Sequence, residues 1–260
     1  MQWELLTSTD FKKAVKETGI CILPLGVMER HGDHLPLGTD FLNAHSISVR
    51  AAEIEPAVVF PAFYFGQIFE ARCFPGTIAI KPELLTGVLE SLVDEIGRNG
   101  FEKIIFYNFH GGSWYWLKYF LQCQLKEQKP YNIFIYNDNF PEGINNILST
   151  PPGHACEWET SIMLVNYADF VKMEAIPDEP SNSLNRLSSL TATNTCIDWY
   201  SCYPEHYAGD ARSASKEKGK AIVDIMAQSL AESIKRVKSD TLVKKLTNEF
   251  FERVDKVGRD

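Results

Sequence analysis

The sequence predicts an α/β chain with a mainly parallel sheet covered by helices on both faces. Three observations carry that expectation. Short apolar, β-branched runs alternate with longer amphipathic segments through the first half of the chain. Two of the strand-like runs lead directly into histidine-bearing polar segments, the place where α/β proteins carry their sites. With 260 residues, 45% of them hydrophobic and 23% charged, the chain is large enough for one substantial core.

The elements follow in order. Ile20 to Gly26 is an apolar run read as a buried strand. Asp40 to about Glu55 reads as a helix with Leu42, Ile47 and Val49 among its apolar positions, and Asp40 sits near its start. Ala57 to Phe65 is β-rich but contains Pro61. Pro82 suits a first helical turn ahead of Glu83 to Asn99, where Leu84, Leu85, Val88, Leu92 and Ile96 recur at helical spacing. Lys103 to Phe109 is a strand, Ser113 to Glu127 a helix, and Tyr131 to Tyr136 a further strand. Such alternation implies right-handed crossovers. The second half is less regular. Phe140 to Gly153 is a Pro- and Gly-rich loop or short excursion, and Glu157 to about Tyr167 a helix. Ile176 to Tyr207 is a polar stretch of the kind that serves a site or an interface. A long helix from about Ser215 to Arg236 and a charged amphipathic tail close the chain, and residues 1–260 read as a single domain.

The bulk numbers exclude several functions. A formal charge of −8 with no basic stripe argues against nucleic acid as a partner. No apolar run reaches the roughly 20 residues of a membrane helix, and Met1 to Glu4 lacks the features of a signal peptide. Six scattered cysteines without a Cys-x-x-Cys pair suit free thiols in a reducing compartment. A cytoplasmic setting is expected.

Three constellations carry chemistry. The segment from Glu29 to Asp40 holds the acids Glu29, Asp33 and Asp40 and the imidazoles of His31 and His34. Glu29 and His31 alternate and so share a side in an extended segment, while Gly32 and the Pro36 to Gly38 stretch let the chain fold back towards them. Carboxylate plus imidazole without thiolate suits zinc, manganese or iron held for hydrolysis. The second constellation, Asn108 to Ser113, places His110 at a strand end beside Gly111 and Gly112, which permit close backbone approach and leave N–H groups free at a helix start. The third is His154 to Ser161. Glu157 and Glu159 are two apart and cannot share a helix face, so one of them enters a site while the other is ordinary first-turn chemistry. Cys156 is a weak candidate for a thiol nucleophile, and His45 and His206 default to surface or packing roles. Trp114, Trp116, Trp158 and Trp199 are candidates to line a pocket or to fill core and interface.

The run from Pro24 to Asp40 resembles the signature of the creatininase (creatinine amidohydrolase) family. Phe74-Pro75-Gly76-Thr77, Asn108 to Gly112, His154 to Ser161, and Gly209-Asp210-Ala211 followed by Ala214 to Gly219 are similar to the family's later motifs. The resemblance implies a three-layer α/β/α fold with a short, mainly parallel sheet, a homo-oligomer with a hexamer favoured, and two divalent metal ions per subunit. It implies hydrolysis of a carbon–nitrogen bond in a small cyclic amide, formamide or peptide-like substrate. Carried over by position, Glu29 binds one metal, His31 the other, Asp40 bridges them, and His110 is a further ligand. His154 is associated with catalysis, and Glu159 is assigned to the metal. Of the acid pair, Glu157 is taken with His154 as a proton donor to the leaving nitrogen. His34, Gly111, Gly112 and Trp158 are assigned to substrate contact or to the shell behind the ligands. One departure matters. The family's true creatininases carry a glutamate that completes the metal site where this chain has Gly112, so the chain resembles the His-Gly-Gly branch and creatinine is not the expected substrate. The competing expectation is a catalytically inactive metal- or ligand-binding member of the same fold.

Overall fold

The computed structural model describes residues 1–138 and 140–257; residue 139 and residues 258–260, the end of the charged tail, lie outside it. A first helix α1 (Ser8–Thr18), with Thr7 accepting from the Asp10 N–H and Gly19 in the left-handed region at its end, leads into strand β1 (Ile20–Leu25). Then come α2 (Thr39–Ile54), β2 (Val58–Val59), α3 (Pro82–Arg98), β3 (Lys103–Asn108), α4 (Trp114–Cys123) and β4 (Asn132–Ile135). The second half adds the short α5 (Ile144–Ile147), α6 (Glu157–Asn166), α7 (Asp198–Cys202), the long α8 (Lys216–Ser239) and α9 (Leu242–Val254).

The sheet is four-stranded and wholly parallel, in the order β2-β1-β3-β4. Its central strand β1 is buried throughout, because alternate residues serve two different cores. Ile20 and Ile22, with Ile105 and Tyr107 of β3, pack against α2, α6 and α8. Cys21, Leu23 and Leu25, with Ile104 and Phe106, pack against α1, α3 and α4. The result is the three-layer α/β/α arrangement. Each fully buried aliphatic side chain stabilises such a core by roughly 1.5–3 kcal/mol.

The differences from expectation are local. The segment expected as a strand from Ala57 to Phe65 pairs regularly only at Val58 and Val59, since Pro61 lacks an N–H; an isolated bridge of Phe63 to Leu25 resumes contact further on. The helix expected from Ser113 to Glu127 is α4 flanked by 3-10 turns at Gly111–Ser113 and Gln124–Lys126. The tail folds into α9.

The last motif works as a clasp. Ser215 caps α8 by accepting from the Lys218 N–H at 3.2 Å. Any Cβ at Gly219 would collide with the Ser161 carbonyl, so glycine lets α8 lie against α6. His154 and Ala208 exchange backbone hydrogen bonds of 2.9 and 3.0 Å, and the Glu157 N–H donates to the Asp210 carbonyl at 2.9 Å. The loop carrying His154 is thereby fixed over the carboxyl ends of β1 and β3. Among the described residues no helix is long and apolar enough to cross a membrane, and all six cysteines are unpaired.

Candidate metal centre

The chain leaves β1 at Leu25 and doubles back within the first motif. Glu29 N–H donates to the Leu37 carbonyl at 3.1 Å, His31 bridges Leu35, and Gly32 adopts a positive φ of 61° at the turn. This hairpin-like excursion brings Glu29 and His31 against Asp40 in the first turn of α2. His110 arrives from the end of β3, while Glu159 in α6 and His154 before it close the far side. Glu29, His31, Asp40, His110 and Glu159 are all buried. Ligand-type atoms of Glu29, His31 and Asp40 lie within 4.8 Å of one another, as do those of His31, His154 and Glu159.

The hydrogen bonds fix which atom each group presents. His31 Nδ1 lies 3.2 Å from the Glu29 carbonyl, which only accepts, so Nδ1 carries a hydrogen and Nε2 is the atom turned towards Asp40 Oδ1, at 3.1 Å. His110 Nδ1 is tied to Ser113 Oγ at 3.0 Å, which directs Nε2 towards Glu29 Oε1 at 3.4 Å. Glu29 Oε1 and Asp40 Oδ2 are buried with no hydrogen-bond partner. Two imidazoles anchored through Nδ1, beside two carboxylates that each keep one oxygen without a partner, form the donor set that a hard or borderline divalent cation requires. The residues present fit a metal.

Electrostatics agree. Burial, with Asp40 beside it, holds the Glu29 carboxyl well above the usual carboxylate range. Burial, against the pull of His31, pushes Glu159 up to about 7. Burial disfavours a charged His31, yet Asp40 outweighs it and brings the ring up to about 9. Without a cation, several carboxyls buried side by side are an expensive arrangement.

The cavity above these groups is about 530 Å³ and is lined by Glu29, Asp40, His110, His154 and Glu159 together with Gly111, Gly112, Trp158 and Trp199. Trp158 stacks on Phe109 with centroids 4.8 Å apart. His154 donates through Nε2 to the Arg30 carbonyl at 2.8 Å, leaving Nδ1 as its acceptor.

The family profile described as Creatininase: Creatinine amidohydrolase matches residues 4–234. The chain belongs to the creatininase family. It is 25% identical over 243 residues to the creatinine amidohydrolase of Pseudomonas putida, covering 83% of this chain and 88% of that one. It is 26% identical over 264 residues to a 3-dehydro-scyllo-inosose hydrolase of Thermotoga maritima, covering 90% and 83%. A mycofactocin precursor peptide peptidase of Mycolicibacterium smegmatis is 37% identical over 101 residues, 35% of this chain and 39% of that one. A crystal structure of creatinine amidohydrolase superposes with a TM-score of 0.79 at 23% identity, covering 92% of this chain and 98% of that one. Membership makes the chain a hydrolase of the amidohydrolase type.

Two expectations for this creatininase-family chain need correction. Glu157 is not part of the cavity. Burial opposes its charge, but Lys218, the Thr150 hydroxyl and the Ser149 and Thr150 N–H groups outweigh it and hold the carboxyl below the usual range. It is a structural anchor of α6 to α8, facing away from the centre. His206, expected on the surface or in packing, is buried beside the centre, with Nε2 2.5 Å from Glu29 Oε2. Its only sequence signal was its place in the long polar stretch. Of the tryptophans, Trp158 and Trp199 line the cavity, while Trp114 and Trp116 lie outside it, and Trp116 donates to Thr86 Oγ1 at 3.1 Å beneath α3. His34 is buried behind the centre, 3.0 Å from Thr160 Oγ1. Cys156 is buried and its thiol is pushed up to about 12 by burial, which makes it a poor nucleophile.

Proposed function

We propose that this chain is a metal-dependent amidohydrolase that opens an amide, cyclic amide or formamide C–N bond at the cavity over Glu29, Asp40 and His110. The observation that carries the reading is a pair of buried carboxylates, each with one unpartnered oxygen, Glu29 Oε1 and Asp40 Oδ2, set beside the anchored imidazoles of His110 and His31. Glu29 and His110 would hold one divalent ion, His31 the other, with Asp40 between them and Glu159 beside His31. Zinc, manganese or iron suits these donors. When bound, two such ions supply an acidified water and polarise a carbonyl oxygen.

The chain's own residues do the rest. Trp158 and Phe109 form an apolar wall that excludes water from one side of the cavity. Gly111, with nothing within 4 Å of a Cβ position, leaves room for the substrate to approach the backbone beside Gly112. His154, with Nε2 committed to the Arg30 carbonyl, keeps Nδ1 free to take a proton and deliver it to the leaving nitrogen. The relatives' names span an amidohydrolase, an inosose hydrolase and a peptidase, so the substrate is set by the cavity wall and not by the family. The reading carries a homo-oligomer, hexamer favoured, which light scattering checks.

Metal analysis and a panel of lactams and formamides test it. The protein should bind divalent ions, lose turnover with a chelator and regain it with zinc, manganese or iron. Protein that binds no divalent ion and hydrolyses nothing after metal addition overturns the reading.

A further inference from the structure

Gly112 stands where true creatininases carry the glutamate that completes their metal site, and the structure shows what fills the vacated space. A Cβ built on Gly112 would lie 2.7 Å from His110 Cε1 and 2.9 Å from both Glu70 Oε1 and Gln67 Oε1. The carboxylate of Glu70 and the amide of Gln67 thus occupy the space that a side chain at position 112 would enter. Glu70 Oε2 accepts from Gln67 Nε2 at 2.8 Å, which fixes the carboxylate and leaves Oε1 on the His110 side. Gln67 Oε1 is buried without a partner. The turn is well anchored: Ile68 and Ala71 are fully buried against Val27, two residues before Glu29. Glu70 lines the same cavity as Glu29, Asp40 and His110.

We propose that Glu70 is a metal-binding carboxylate of this chain, supplied from the Phe69–Ala71 turn in place of a side chain at position 112. The inference rests on the two-metal reading above and specifies which residue completes the His110 side of the centre. Its chemistry is ordinary: a carboxylate held by an amide on one oxygen presents the other to a cation. It also uses the space left by the glycine, since a side chain at 112 would push the Glu70 carboxylate from its present position.

The test is cobalt(II) binding to the full-length protein, read as ion stoichiometry, dissociation constant by chelator competition, and visible ligand-field spectrum. Glu70→Ala should hold one of two ions at least about 100-fold more weakly, beyond the 10- to 100-fold loss typical of a residue that only orients a ligand, with an altered spectrum. Glu70→Gln keeps the size and the Gln67 contact, so it reports the same loss should the alanine variant fold poorly. Wild-type stoichiometry, affinity and spectrum in a folded Glu70 variant overturn the inference while leaving the two-metal reading intact. Wild-type protein that binds no cobalt instead defeats the two-metal reading itself.

Discussion

His206 Nε2 lies 2.5 Å from Glu29 Oε2, while the Trp199 indole N–H donates to Nδ1 of the same ring at 2.9 Å. An indole nitrogen only donates, so Nδ1 is the acceptor and Nε2 carries the hydrogen that Glu29 receives. Burial, with His31 and His110 nearby, pushes His206 down to about 3, so the ring is neutral. His206 therefore differs from His31, whose Nδ1 is the atom committed to a backbone carbonyl and whose Nε2 is turned to Asp40. It orients the Glu29 carboxylate and leaves Oε1 as the oxygen available to a metal.

That makes His206 a positioning residue with a distinct signature. His206→Ala should weaken divalent-ion binding about 10- to 100-fold. His206→Gln, which retains an N–H donor, should recover most of that affinity. Isothermal titration with manganese or zinc separates the two variants. Equal losses would mean that His206 acts as packing or as a ligand, and not as a donor to Glu29.

His154 is close enough to the centre to be mistaken for a ligand, since its ring lies 4.3 Å from that of His31 and 4.5 Å from that of His206, centroid to centroid. As a proton carrier it should be dispensable for metal. His154→Gln is expected to keep wild-type metal content while kcat falls about 10²- to 10⁴-fold. Metal loss in this variant, measured by plasma mass spectrometry after gel filtration, would reassign it to the ligand set.

Glu157 supplies a pH-dependent part of the stability. Its carboxyl is held below the ordinary value of 4.5, so its contribution is fully present above that value and is lost as pH falls through the lower, folded-state value. Glu157→Gln should cost about 1–3 kcal/mol near neutrality and flatten the dependence of Tm on pH below about 5. Turnover of the folded variant should stay near wild type, because Glu157 faces Lys218 and not the cavity. A large fall in kcat with unchanged Tm would restore it as a proton donor.

The parts of the centre legible in sequence share one property: each sits in a short motif directly after a strand. Glu29 and His31 follow β1, and His110 follows β3, so strand-end logic finds them together with Asp40 at the start of α2. His206 is invisible to that logic. It precedes no strand or helix of length, stands 177 residues from its partner Glu29, and lies in a stretch without periodicity. Glu70 is hidden for a similar reason, because a carboxylate on a 3-10 turn looks like any exposed acid until Gly112 is seen beneath it. The pair Glu157 and Glu159 marks a different limit. Helical geometry says that only one can face the site, but the choice is made by Lys218 in α8, which the local pattern does not contain. In the fold, the parallel sheet followed from alternation, while β2 is shorter than its β-branched composition suggested because Pro61 interrupts the ladder.

The central claim is that one carboxylate, Asp40, lies between two metal sites. The most direct measurement is the number of divalent ions bound per subunit by wild-type protein and by Asp40→Asn, taken after exhaustive dialysis. The account predicts two ions for wild type and loss of both together in the variant. Loss of a single ion, or retention of two, would contradict it.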